Sequence, residues 1–299
     1  MSTDRPRVLI TGAGGFIGRH VVAAAPADWD VIALSRQDAP DAGAIRPVRW
    51  SGELSDPLPP ALTEPFDVTI HLAGNASHAV AASEPWRDLI ASGGVAGALL
   101  SRVLTRRVVL LSSAAVYAGL EGPVHPGLPV DPPMAYALSK RYVEGFVRAL
   151  ASQGKVEEVA IFRLYNAFGR GERPSRLIPR VAQAIAAGRP LELTGDPSSL
   201  SDPVEVKWVG AALIAAVAHD NGGTFDLCGG DPVPLAVQVG RISEALGAPR
   251  LDVVLRPNPG EEPIRFWSDP APAIEAFGLA PPTPFPDAVR SYARSEGWI

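Results

Sequence analysis

The chain has 299 residues, is 46% apolar and 20% charged, and carries a net charge of −5. This composition is ordinary for a soluble globular protein, and without a basic block it argues against nucleic acid or an acidic membrane surface as a partner. A single cysteine excludes an internal disulfide, no Cys/His grouping has metal-ligand spacing, and no apolar run approaches the roughly 20 residues of a membrane span, so a cytoplasmic protein without a metal is expected.

In chain order, residues 8–10 read as a buried strand, followed by a glycine-rich turn over 11–18 and a helix over 19–25. Further strands are expected at 31–34, weakly at 47–50, and at 68–72, 108–112 and 159–164. Helices are expected over 84–104, despite glycines at 93, 94 and 97, and over 136–151. Apolar strands without alternation, separated by helices, predict an α/β protein with a doubly wound parallel sheet covered on both faces. After Asn166 proline and glycine become frequent. Helices are expected at 179–187, 209–218, 236–246 and 284–298, with a strand at 224–228. The expected organisation is a first domain over 1–165, to which a segment near 203–230 returns, and a smaller irregular lobe over 166–299 that binds substrate.

The turn contains Gly12, Gly15 and Gly18 directly after a strand and opening a helix. Glycines at this spacing allow a tight turn, close approach of a pyrophosphate, and close packing of helix on strand, while the helix N-terminus offers N–H groups to the phosphates. A dinucleotide is therefore the expected cofactor. At the end of the second strand stands Ser35-Arg36 rather than an acidic residue. Arginine can hold a ribose 2′-phosphate, which favours NADP(H) over NAD(H). The alternative is a solvated Arg36 with Asp38 reaching the ribose.

Tyr136 and Lys140 lie four residues apart, on one face of the expected helix. An ammonium beside a phenol favours the phenolate, so Tyr136 is expected to titrate below its free value and to serve as an acid or base. Ser113 ends the fifth strand, where doubly wound folds place ligands, and its hydroxyl is suited to hydrogen-bond a substrate oxygen beside the tyrosine.

With these pieces in place the chain resembles the extended short-chain dehydrogenase/reductases, the group of NAD(P)-dependent sugar-nucleotide epimerases, dehydratases and reductases. The resemblance rests on TGAGGFIG at 11–18, HLAG at 71–74, SSAAVYA at 112–118, YALSK at 136–140, RLYNAFGRG at 163–171, LIPR at 177–180 and the closing segment 278–298. It implies a Rossmann-type fold, a homodimer, Tyr136 as acid/base, Lys140 as its partner and ribose ligand, and Ser113 orienting the substrate oxygen. It further implies that Phe16 and Ile17 join the glycines at the cofactor, with Leu72, Ala73 and Gly74 alongside. Asn166 is implied at the substrate phosphates, Leu177 and Arg180 near its base, and Arg256 and Arg265 as diphosphate clamps.

Three departures from the family pattern stand out. Where many relatives carry Arg-Asp-Phe-x-His-Val-Asp-Asp, this chain has the run from Ser201 to Trp208, which lacks the phosphate-gripping arginine. Gly94 stands for the asparagine of Asn-Val-x-Gly, and Ala114-Ala115 replaces the acidic pair of the dehydratases. The expected function is an NADPH-dependent ketoreductase of a nucleotide-linked keto sugar of the 4-keto-6-deoxy class. The alternatives are an NAD-dependent sugar-nucleotide epimerase, a reductase of a non-sugar ketone, and a non-catalytic NADP-binding protein.

Overall fold

The computed structural model describes residues 5–36, 45–53, 55–248, 251–258 and 262–299. Seven strands among them form one parallel sheet: β1 (Arg7–Thr11), β2 (Asp30–Ser35), β3 (Ile45–Arg49), β4 (Phe66–His71), β5 (Thr105–Ser113), β6 (Glu158–Leu164) and β7 (Gly223–Leu227). Their order across the sheet is β7-β6-β5-β4-β1-β2-β3, with every neighbouring pair parallel. Helices cover both faces. Val8 and Ile10 pack in one core with Val21 of α1 (Phe16–Ala24) and Leu213 of α7 (Val206–Ala218), whereas Leu9 and Ile32 pack in another with Phe66 and Leu99. Burial on both faces is why these strands read as continuous apolar runs. The order of the sheet reverses between β1 and β4, which opens a crevice at their C-terminal ends.

The helix expected over 84–104 is a composite. It runs as α3 (Pro85–Leu89), a π turn (Ile90–Gly94) and α4 (Val95–Leu100). A side chain at Gly93 would begin 2.8 Å from the Tyr142 ring of α5 (Ala135–Ser152), so this backbone needs glycine to approach α5. Wide turns of this kind are frequent at functional sites. A short helix that the sequence did not announce, α2 (His78–Ser83), precedes it, with the Ser77 hydroxyl accepting the Val80 N–H at 3.3 Å.

The second half both completes the sheet and builds its own lobe. β7 pairs with β6 from Gly223↔Ala160 to Leu227↔Leu164, and α7 closes on α1 through Gly210, where a Cβ would meet the His20 carbonyl oxygen at 3.2 Å. The lobe has a separate apolar core from α6 (Leu177–Ala186), α8 (Leu235–Ala245) and α9 (Phe285–Glu296), including Val181, Ile242, Phe285 and Val289. Among the described residues no helix is long and apolar enough to cross a membrane.

Candidate active site

The glycine loop closes the crevice from the β1 side. Gly12 has φ of +68°, and a Cβ there would lie 2.9 Å from the Ala73 nitrogen. At Gly18 a Cβ would lie 2.2 Å from the Gly12 carbonyl oxygen. Both positions therefore demand glycine, one for its turn and contact with the end of β4, the other for seating α1 on the loop. Gly15 precedes α1 and supplies no side-chain cap, so the first-turn N–H groups remain available to an anion. These features fit a dinucleotide pyrophosphate. Phe16 and Ile17 are half-buried in the first turn, and Arg36 is exposed at the end of β2 beside Ser35. Asp38 lies outside the described residues.

Thr11 locks the two crevice strands together. Its Oγ1 accepts the N–H groups of Leu72 and Ala73, each at 3.1 Å, and lies 3.0 Å from His71 Nδ1. With its oxygen already accepting twice, the threonine proton goes to Nδ1, which leaves the histidine proton on Nε2. Burial, helped by Lys140, pushes His71 down to about 3, so the ring is neutral. It lines a cavity of about 10 Å³ with Ser92, Ser112 and Lys140.

Tyr136, Lys140 and Ser113 meet at the mouth of the crevice. Tyr136 is buried in the first turn of α5, with the Lys140 Nζ 5.4 Å from its ring centroid. A side chain at Gly74 would begin 3.3 Å from Nζ, so the segment after β4 runs directly over the lysine. Burial holds the Tyr136 phenol above its usual range, opposed by a hydrogen bond with Ser113; Asp88 raises it and Arg176 lowers it. This corrects the expectation that Lys140 brings the phenol down. Desolvation of the phenolate wins, and the nearby carboxylate adds to it. Lys140 itself is pushed down to about 8 by burial, with Asp88 pulling it back up.

A buried ionic network fixes the helix that carries the pair. Glu144, fully buried on α5, accepts from Ser112 Oγ at 2.7 Å and from Arg163 at 3.0 and 2.8 Å. Burial works against ionising Glu144, but Arg163, Ser112 and Arg148 outweigh it and hold the carboxyl below its ordinary value. The Arg163 guanidinium lies 4.8 Å from the Tyr117 ring centroid, and Tyr117 donates to Asp226 at 3.0 Å. α5, β5, β6 and β7 are thus tied together beneath the site. Removing one partner from such a network costs about 3–5 kcal/mol.

The other expected residues are more dispersed. Asn166 is exposed at the start of a short strand, Asn166–Phe168, that pairs in parallel with Pro203–Glu205. Leu177 packs against the lobe core, and Arg180 donates to the Glu192 carbonyl. Arg256 and Arg265 are exposed and pair with Glu192 at 3.9 Å and Glu121 at 3.6 Å. Three groups near Tyr136 escaped the sequence reading. His78 stacks on its ring, and Asp88 and Arg176 act on it through their charge. Nothing in the local sequence marks them, because they arrive from α2, α3 and the segment before α6.

The parallel sheet, the glycine crevice and the Ser113–Tyr136–Lys140 group define an NAD(P)-dependent enzyme of the extended short-chain dehydrogenase/reductase type. The family model for the NAD dependent epimerase/dehydratase family matches residues 8–228, and the chain belongs to that family. It is similar to GDP-6-deoxy-D-mannose reductase of Pseudomonas aeruginosa, with 28% identity over 75% of each chain. It is also similar to 2-alkyl-3-oxoalkanoate reductase of Stenotrophomonas maltophilia, with 26% identity over 82% of this chain and 77% of that one. Among solved structures, MoeE5 in complex with UDP-glucuronic acid and NAD matches with a TM-score of 0.85 and 26% identity, over 97% of this chain and 99% of that one.

Proposed function

We propose that the protein is an NADPH-dependent reductase of a nucleotide-linked keto sugar of the 4-keto-6-deoxy class. The observation that carries this reading is the meeting of Tyr136, Ser113 and Lys140 where the glycine crevice opens. The chemistry supplied by the bound nicotinamide is hydride transfer to the carbonyl carbon. Tyr136 gives its proton to the carbonyl oxygen, and the Ser113 hydroxyl donates a hydrogen bond to the same oxygen. The Lys140 ammonium stabilises the negative charge that develops there. Ala114 and Ala115 supply no acid for dehydration.

The relative named GDP-6-deoxy-D-mannose reductase supports the substrate class, and Arg36 supports NADP(H) over NAD(H). Asn166, Leu177, Arg180, Arg256 and Arg265 remain the proposed contacts to the nucleotide part. The pairing of β7 with β6 and the packing of α7 with α1 support assigning 203–230 to the dinucleotide half, and Ala273 and Phe277 pack in that same core. The separate core that joins Val181, Ile242 and Val289 supports a substrate lobe from the remainder of 166–299. Exposed Trp86, Leu89, Ile90, Leu138 and Tyr142, on α5 and the helical segment packed on it, support a homodimer through this face.

The test is NADPH oxidation against a panel of nucleotide-linked keto sugars, with NADH in parallel. Turnover of a 4-keto-6-deoxy sugar with NADPH is expected, and silence across the panel would reject the reading. A second reading, an NAD-dependent sugar-nucleotide epimerase, uses the same three residues and is favoured by the NAD, rather than NADP, bound with UDP-glucuronic acid in the similar MoeE5 structure. NAD⁺ retained through purification would support it. The relative that reduces 2-alkyl-3-oxoalkanoates keeps a non-sugar ketone in the panel.

A further inference from the structure

Asp88 is a fully buried carboxylate on α3, one of the short helical pieces packed on α5. Its Oδ1 accepts a hydrogen bond from the Asn75 side-chain amide at 2.7 Å, while its Oδ2 is buried and makes no hydrogen bond. Asn75 has no freedom to turn away. Its amide also donates to the Ser77 carbonyl at 2.9 Å, its Oδ1 accepts the Ser77 N–H at 2.9 Å, and its own N–H goes to Ser92 Oγ at 3.1 Å. Ser92 lies in the π turn, and its Oγ and the Lys140 Nζ both fall within 3.3 Å of the point where a Gly74 side chain would begin. The carboxylate is therefore locked to the same loop that passes over the lysine.

A buried carboxylate with a single hydrogen bond is costly unless a charge answers it. Its chain neighbour Arg87 turns outward to Glu84 and the Trp86 ring. Arg141 on α5 goes to Glu144. From β4 the neutral His71 faces the lysine, from α2 His78 covers the Tyr136 ring, and before α6 Arg176 acts on Tyr136. Lys140 is the cation on α5 whose charge responds to Asp88.

We propose that Asp88 is a positioning residue for the acid–base pair: its anchored charge holds the Lys140 ammonium and keeps Tyr136 in its protonated, proton-donating form. This rests on the reading of Tyr136 as the proton donor. A fixed negative charge disfavours a nearby phenolate and favours a nearby ammonium, which matches the directions in which Asp88 acts on Tyr136 and Lys140. The alternative is that Asp88 is only an anchor for Asn75.

Asp88→Asn separates the two, because an amide oxygen still accepts from Asn75 while the charge is gone. The readout is the ultraviolet titration of tyrosinate in the full chain without substrate. Only five tyrosines are present, so subtracting the Tyr136→Phe trace isolates Tyr136. The same subtraction is made in the Asp88→Asn background. The Tyr136 midpoint is expected at lower pH in Asp88→Asn than in the parent; an unchanged midpoint overturns the proposal. Should Asp88→Asn fail to fold, Asn75→Ala leaves the carboxylate in place but unanchored. The midpoint then falls by a smaller amount, and an unchanged midpoint again overturns the proposal. The titration needs no turnover, so an inactive enzyme would count against the proposed function and leave this test standing.

Discussion

The imidazole of His78 stacks on the phenol ring of Tyr136, with centroids 4.2 Å apart and planes inclined by 29°. His78 opens α2, whose start is fixed by Ser77, so the stack braces the tyrosine from outside the sheet. Aromatic pairs of this kind are worth about 0.5–1.5 kcal/mol, a factor of roughly two to twelve in rate if that energy orients the phenol. His78→Ala is expected to lower kcat by about that factor while leaving the NADPH Kd unchanged. His78→Phe, which keeps a stacking ring, should recover most of it. Identical kcat values for all three proteins would show that the stack does not orient Tyr136.

Tyr136→Phe removes the proton donor and keeps the ring that stacks on His78. A fall in kcat of about 10²–10⁴-fold is expected. Cofactor binding, followed by NADPH fluorescence, should persist. Unchanged turnover would move the acid to another residue.

Gly18→Ala and Gly97→Ala make a matched pair. At Gly18 the new methyl would lie 2.2 Å from one backbone oxygen and 2.8 Å from the Ala13 Cα, and backbone cannot step aside cheaply. At Gly97, inside α4, nothing lies within 4 Å. Gly18→Ala should therefore lower the Tm and abolish cofactor binding, whereas Gly97→Ala should stabilise by up to about 1 kcal/mol through helix propensity. Thermal melts with and without NADPH read both effects.

Glu172 is half-buried with a side chain only 5% exposed, and this desolvation pushes its carboxyl from 4.5 up to about 7, against the pull of Arg176. Its folded-state value lies above its unfolded one. Its favourable contribution is thus fully present below pH 4.5 and is lost as pH rises through 7. Glu172→Gln cannot ionise, so it should melt higher than the parent at pH 8 and lose that advantage towards pH 4.5. Parallel pH-dependence in the two proteins would contradict the assignment.

Arg36 provides the test of cofactor preference. If it holds the 2′-phosphate, Arg36→Ala loses a charge-assisted interaction of about 1.5–3 kcal/mol. The KM for NADPH should rise roughly tenfold or more, with little change for NADH. Equal effects on both cofactors would remove Arg36 from the phosphate site.

The sheet was legible because both of its faces are covered: Val8-Leu9-Ile10 and Val108-Val109-Leu110-Leu111 are apolar without interruption. The glycine turn was legible because its constraints are local, among Gly12, Ala13, Gly18 and the end of β4. What surrounds Tyr136 was not. Asp88 and His78 lie far from it in sequence and reach it only when α2 and α3 pack on α5. The direction of the tyrosine shift is not legible in sequence for a related reason: helical spacing reveals the ammonium but not the desolvation or the carboxylate. The π turn escaped because glycines at 93 and 94 are ambiguous until Tyr142 is seen against Gly93. The short paired strands, such as Pro203–Glu205, are too brief to show a period.

The seventh strand has a consequence for how the protein is made. A ribosome delivers β1 to β6 well before Gly223–Leu227, so the nascent sheet ends in β6 with unpaired backbone groups. Tyr117 and Arg163 emerge in that interval without Asp226, which arrives on the last strand. Synthesis halted between these points would yield a sticky intermediate, prone to pairing with another chain, rather than a smaller working enzyme.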